Sequence, residues 1–174
     1  MNRFRQYYIT PDFKGTENMG IRSLARAMKD PDFRIDLDPD FQRGRVWTQE
    51  NQSDFVGFFL SGGMVPPVVV WDRPHPETRV VVDGKQRLTS LLNWFNGEIP
   101  AHLENERIFV SDLDPEEFRL WTSTTSGPTV VLQYTAGSRK EILDFYLRLN
   151  GCSVPHTKEE IDRVRALRDR ESCS

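Results

Sequence analysis

A buried strand followed directly by an amphipathic helix is encoded in residues 80–95, and this junction constrains the fold more than any other stretch. The three consecutive valines Val80, Val81 and Val82 predict a buried β-strand that ends at the turn-forming pair Asp83-Gly84. Apolar residues then recur at helical spacing, namely Leu88, Leu91, Leu92 and Phe95. The run therefore predicts a strand, a tight turn and a helix whose apolar face, formed by these four residues, is buried.

The first turn of this predicted helix carries Lys85, Gln86 and Arg87. A helix N-terminus already favours anions, because its backbone N–H groups lack intrahelical partners and carry partial positive charge. Acidic residues are usual at this position, so two cations there oppose the helix dipole. Local conflicts of this kind are expected at functional sites. We interpret the turn as a candidate phosphate-binding site.

Composition limits the classes of function that fit the chain. Its 174 residues, 37% of them hydrophobic, suit one domain with a core of its own. The net charge of −3 excludes a strongly basic surface, so any phosphate site must be local. Cys152 and Cys173 are expected to be reduced thiols. There is no apolar run of ~18 residues and no apolar signal segment, so we expect a cytoplasmic protein without a membrane partner.

The remaining patterns predict an α+β domain, a small mixed sheet flanked by helices. We expect an irregular segment over residues 1–19 and a single domain over 20–174. Capping signals at Thr48, Asp114, Ser138 and Thr157 each open a predicted helix. The other predicted elements are a helix over 21–28, a strand over 33–37, a hairpin of 67–72 with 78–83, a short strand near 108–110 and a strand over 129–135.

Two further polar clusters stand at the ends of predicted elements. The first places Gln42, Arg43 and Arg45 in a loop between the aromatic residues Phe41 and Trp47. The second places Arg148 and Asn150 at the end of a helix. Taken alone, the first cluster also fits a solvated loop with two aromatic anchors, and the second an ordinary helix C-terminus.

Together the clusters resemble one family, the domains at the N-terminus of GmrSD-type modification-dependent restriction enzymes. The family pattern combines [FY]-Q-R-x-x-x-W, a strand preceded by Pro-Pro, D-G-Q-Q-R-L-T and F-x-R-L-N-x-G. Here these stand as residues 41–47, 66–70, 83–89 and 146–150. The resemblance covers about residues 20–170. Lys85 stands where the family usually has Gln, and the His-Asn-His set of a nuclease is not visible.

The resemblance implies a ParB/sulfiredoxin-like fold, whose members bind nucleoside triphosphates or nucleic acid at the polar loop after a strand. On this basis a nucleoside triphosphate and Mg²⁺ are the expected ligands. The implied catalytic residues are Asp83, Gln86 and Arg87, with Asp83 also the candidate metal ligand. The implied nucleotide- and phosphate-binding residues are Gln42, Arg43, Gly84, Lys85, Arg87, Arg148 and Asn150.

Three functions fit these residues. The first is a nucleotide-binding domain with Mg²⁺-dependent triphosphatase activity, in which Arg43, Lys85 and Arg87 hold phosphate oxygens. The second is a DNA-binding module or nuclease of a restriction or anti-restriction system, in which the same cations contact the DNA backbone. The third is a non-catalytic module that binds a host or phage protein.

Overall fold

The computed structural model describes residues 11–42, 47–73, 78–151 and 158–171. Its strands are β1 (Asp12–Gly20), β2 (Ile35–Asp36), β3 (Val68–Trp71), β4 (Arg79–Asp83), β5 (Ala101–Leu103), β6 (Glu106–Ile108) and β7 (Thr129–Ala136). Its helices are α1 (Ile21–Ala27), α2 (Gln49–Leu60), α3 (Lys85–Phe95), α4 (Pro115–Thr122), α5 (Arg139–Gly151) and α6 (Lys158–Glu171). The domain is α+β, as the sequence predicts.

The main sheet has five strands in the order β1-β7-β3-β4-β2. It is mixed, because β1 with β7 and β3 with β4 are antiparallel, whereas β3 with β7 and β2 with β4 are parallel. The predicted hairpin of β3 and β4 is confirmed. β5 and β6 form a separate two-stranded sheet. β4 lies between β3 and the short edge strand β2, and its C-terminal end leads directly into α3.

Apolar side chains cover both faces of the central strands, which explains the unbroken valine runs. Val81 packs on one face with Leu88, Leu91 and Trp94 of α3 and with residues of α1 and α2. Val80 and Val82 point to the other face and pack among residues of α5 and α6. The strand that leads to the candidate site is thus fixed between two apolar layers.

The predicted apolar face of α3 is correct for Leu88 and Leu91 but differs at its margin. Leu92 and Phe95 are only half-buried, and Trp94 is fully buried in their place. The Trp94 indole N–H donates to the Ile108 carbonyl at 3.1 Å, so the ring is buried without an unpaired polar atom.

Two other expectations are corrected. The segment predicted to be irregular over 1–19 contains β1, which begins at Asp12 and pairs with β7 along its length. The strand predicted near 108–110 ends at Ile108 and is followed by a 3₁₀ turn over Val110–Asp112. Across the part of the chain that the structure describes, no helix is long and apolar enough to cross a membrane.

Candidate phosphate-binding site

A cleft lies where β4 ends and α3 begins, and it gathers residues from three separate parts of the chain. The described residues that line it enclose about 150 Å³. They come from the loop after β2, from the β4–α3 junction and from α5. The lining residues are Gln42, Trp47, Val82, Asp83, Gly84, Lys85, Gln86, Arg87, Tyr146 and Asn150.

Gly84 makes the sharp turn between β4 and α3. Its φ of +96° lies in the left-handed region, which residues with a Cβ rarely adopt. A Cβ at this position would lie 2.8 Å from Val68 Cγ2, so the turn also requires the absence of a side chain. As N-cap of α3, Gly84 cannot cap the helix with a side chain, and no acidic residue lies in the first turn. Residues 84–87 line the cleft, so the partial positive charge of this helix end acts on it.

Gln42 is held by the strand that leads into the cleft. Its side-chain amide donates to the carbonyls of Val81 and Val82 at 2.8 and 2.9 Å. These bonds hold the amide nitrogen against β4. The atom of the amide that can face a ligand is therefore the carbonyl oxygen Oε1, which is an acceptor. The neighbouring Phe41 is fully buried and contacts the Tyr146 ring edge-on at 5.3 Å, which anchors the loop as predicted.

The loop that presents Gln42 is also tied to the C-terminal helices. Arg139 of α5 forms an ion pair with Asp40 at 2.7 Å. Arg163 of α6 donates to the Gln42 carbonyl at 2.9 Å. The loop is thus connected to α5 and α6 by side chains that the sequence motifs do not include.

Lys85 is a nearly buried cation that is paired with Asp38 from the loop after β2. The side chain is 7% exposed, and its ammonium lies 2.5 Å from the carboxylate of Asp38, which is 83% exposed. A buried ammonium is costly unless it is paired, so Asp38 stabilises the charge of Lys85 in this conformation. Because Asp38 is exposed, its carboxylate can move into water when another anion approaches Lys85.

The Arg87 side chain is 14% exposed, and its contacts stabilise the turn between β4 and α3. Its guanidinium donates to the Asp83 carboxylate at 2.5 Å and to the backbone carbonyl of Pro66, with Pro67 at 3.4 Å. The Pro-Pro pair before β3 therefore supplies acceptors for this side chain. Arg87 has a structural role beside any role toward a ligand, so its removal is expected to disturb the junction itself.

The structure brings together most of the residues that the sequence selects. Gln42, Asp83, Gly84, Lys85, Gln86, Arg87 and Asn150 all line the cleft. Arg148 does not line it and is exposed on α5. Arg43 lies outside the described residues. Asp38 is the main site residue that the sequence analysis did not select, and its place in the polar loop next to Gln42 was the available signal.

Asp83 is the candidate ligand for Mg²⁺ within the cleft. Among the described residues, no group of three or more histidine, cysteine or acidic side chains could hold a metal ion by itself. This donor set still fits Mg²⁺ bound with a nucleotide, because that ion commonly uses one or two carboxylates together with phosphate oxygens and water. Asp83 would have to share its carboxylate between the ion and Arg87.

Comparison with known proteins agrees with the motif pattern. Searches of curated proteins and of solved structures gave no significant match. Residues 24–146 match the family model of the GmrSD restriction endonuclease, N-terminal domain. The match includes the loop of Gln42, the β4–α3 junction and most of the core described above. The chain therefore belongs to the family of the GmrSD restriction endonuclease N-terminal domain.

Proposed function

We propose that this domain binds the phosphate groups of a nucleoside triphosphate and serves as a nucleotide-dependent regulatory unit of a restriction system. The observation that carries the proposal is the cleft itself, which joins a helix N-terminus to the side chains of Lys85 and Gln86. Backbone N–H groups, an ammonium and side-chain amides are the donors that hold phosphate oxygens in proteins. The family membership supports the restriction-system context.

Charge balance in the cleft favours a ligand that brings its own cation. Lys85 and Arg87 are each paired with a carboxylate, from Asp38 and Asp83 respectively. A bare polyphosphate would face these two carboxylates as well as the two cations. Mg²⁺ bound to the phosphates and to Asp83 would remove part of that repulsion, so we expect tighter nucleotide binding in the presence of Mg²⁺.

Binding is tested by calorimetry with ATP, GTP, CTP and UTP, each with and without Mg²⁺. The informative variant is Lys85→Gln, because it removes the ammonium but keeps an amide donor. The loss of one charge-assisted hydrogen bond is worth about 1.5–3 kcal/mol, which corresponds to a roughly 10- to 150-fold weaker affinity. Lys140→Gln is the matched control, because Lys140 is exposed on α5 and does not line the cleft. No binding of any nucleotide by the wild type would refute the proposal.

Hydrolysis is a separate part of the proposal, in which Asp83 helps to hold Mg²⁺ and Gln86 orients the attacking water. Release of inorganic phosphate from the bound nucleotide measures it directly. Gln86→Ala should lower the rate more than the affinity, since a water-orienting group acts mainly in the transition state. Gln49→Ala, an exposed glutamine at the start of α2, is the control. Binding without phosphate release would leave a sensor domain and exclude the triphosphatase.

The second candidate function is DNA binding, which the restriction-endonuclease family favours. The arginines of α6 could face DNA, but Arg165 pairs with Asp162, and Arg168 pairs with Asp144 and Asp169. These pairs lower the positive charge available to a phosphate backbone. Fluorescence anisotropy of a labelled duplex at several salt concentrations tests this function, since DNA binding through phosphates weakens steeply with salt.

A further inference from the structure

Trp47 lines the phosphate-binding cleft and differs in burial from a core tryptophan. It is half-buried, whereas Trp94 is fully buried. Its ring rests on Phe55 of α2, with centroids 5.3 Å apart and planes inclined by 58°. One part of the indole is thus supported by the protein, and the half-buried ring retains surface toward solvent.

The backbone of Trp47 contacts side chains of two helices, α2 and α3. Its N–H lies 3.5 Å from the side-chain oxygen of Gln86, a cleft residue in the first turn of α3. Its carbonyl accepts from the side-chain amide of Gln52 at 3.3 Å. Gln52 is itself buried and hydrogen-bonds to Asn93 of α3 at 2.8 Å. These amide contacts position the indole relative to the helix end that would hold phosphates.

The size of the cleft indicates where the rest of a nucleotide must lie. The described walls enclose about 150 Å³, below the roughly 300–1,000 Å³ of pockets that enclose a whole small molecule. The helix end and the ammonium of Lys85 suit the phosphates, so the base has to extend beyond these groups. A flat aromatic ring among the lining residues is the group on which a base stacks, with little preference for its identity.

We propose that Trp47 stacks on the nucleobase of the nucleotide whose phosphates lie at the N-terminus of α3. The inference rests on the proposed function, and it names the recognised ligand as a planar heteroaromatic base joined to a polyphosphate. Gln52 acts as a positioning residue, because it contacts the Trp47 carbonyl and not the ligand. Base stacking is sequence-tolerant, so discrimination among the four bases is expected to be weak at this position.

The test compares ATP with inorganic tripolyphosphate, which has the phosphates without a base, in calorimetric titrations of the full chain. Trp47→Leu should weaken ATP binding about tenfold or more and leave tripolyphosphate affinity unchanged. Trp47→Phe should restore most of the ATP affinity, since it keeps a flat ring. Trp121→Leu is the matched control, because Trp121 is half-buried on α4 and does not line the cleft.

A second measurement compares the wild type with Trp47→Phe and so remains valid if Trp47→Leu fails to fold. ATP should quench the fluorescence component that is lost in Trp47→Phe, and tripolyphosphate should not. Equal loss of affinity for both ligands in Trp47→Leu would assign a structural role and overturn the inference. Unchanged ATP affinity would overturn it as well. If the wild type binds tripolyphosphate and ATP equally, the stacking inference is refuted and the phosphate site is retained. If it binds neither ligand, the proposed function is refuted.

Discussion

Substitution of Gly84 by alanine tests both physical reasons why the β4–α3 junction has its shape. Gly84 has a φ of +96°, and an added Cβ would lie 2.8 Å from Val68 Cγ2 and 3.2 Å from a guanidinium nitrogen of Arg87. Val68 belongs to the buried central strand β3, so it has little room to move away. The variant therefore combines backbone strain with a steric clash in the core.

The expected loss of stability in Gly84→Ala is the sum of these two contributions. A residue with a Cβ in the left-handed region costs about 1–2 kcal/mol, and insertion of a methyl group into a packed core costs about 1–3 kcal/mol. Gly84→Ala should then lower the free energy of unfolding by about 2–5 kcal/mol. Gly62→Ala is the matched control, because Gly62 has a φ of +84° but nothing within 4 Å of the added Cβ. It should cost only the backbone part, about 1–2 kcal/mol.

Urea unfolding followed by circular dichroism measures both variants, and equal m-values would show that the same transition is compared. The difference between the two losses isolates the contact with Val68. Equal losses in the two variants would refute the clash, and no loss in either would refute the backbone argument. A Gly84→Ala protein that remains folded should also bind nucleotide more weakly, because the new Cβ pushes against Arg87.

Three further predictions concern the core, a tyrosine of β7 and the charges of the cleft. Leu91→Ala should destabilise the domain by about 2–5 kcal/mol, and Leu92→Ala by less, because only Leu91 is fully buried; equal losses in urea unfolding would contradict the burial pattern. Burial, followed by its hydrogen bond to a glutamate, raises the pKa of Tyr134 above its usual 10. Because the folded protein holds this proton more tightly than the unfolded chain does, the stabilisation is complete below pH 10 and is lost as the pH rises above it. The free energy of unfolding should therefore fall more between pH 9 and pH 11 for the wild type than for Tyr134→Phe. Asp38→Asn should strengthen tripolyphosphate binding in calorimetry, because it removes the carboxylate that competes for Lys85; an unchanged affinity would argue against that competition.

The parts of the fold that depend on neighbouring residues could be predicted from the sequence. Thr48 and Asp114 cap α2 and α4 as predicted, and the structure adds a reciprocal side-chain bond from the third residue of each helix. The three valines of β4 and the turn at Gly84 likewise define the strand–turn–helix unit. In each case the interactions that fix the structure join residues within one or two turns, so the sequence pattern contains them.

The N-terminal strand β1 could not be predicted in this way. Its residues Asp12–Gly20 are mostly exposed and mostly polar, so no alternation of apolar side chains marks it as a strand. Its structure comes from backbone pairing with β7, for example Gly20 with Thr129. Pairing of this kind depends on where a distant strand lies and leaves little trace in the local sequence.

In the candidate site, too, the local pattern could be predicted from the sequence and the long-range contacts could not. The charges of the site show this most clearly. The sequence places Lys85 and Arg87 against the helix dipole, and that conflict is the reason that the turn is selected as a candidate site. The sequence does not reveal how the conflict is relieved, because Asp38 is 47 residues from Lys85. Pairing with Asp38 and Asp83 explains how two cations can stay at this helix end without a ligand.

The two ion pairs also predict how the site should respond to phosphate. Asp38 is exposed and can be displaced at small cost, whereas Arg87 is tied to Pro66 as well as to Asp83. Phosphate should therefore take Lys85 from Asp38 more readily than it takes Arg87 from its partners. Lys85 would then be the group that responds to the ligand, and Arg87 the group that keeps the junction in shape. The double variant Asp38→Asn/Lys85→Gln decides this point: once Lys85 is replaced, removal of the Asp38 charge should no longer strengthen binding. If the gain from Asp38→Asn persists without Lys85, the carboxylate acts by general repulsion and the exchange of partners is refuted.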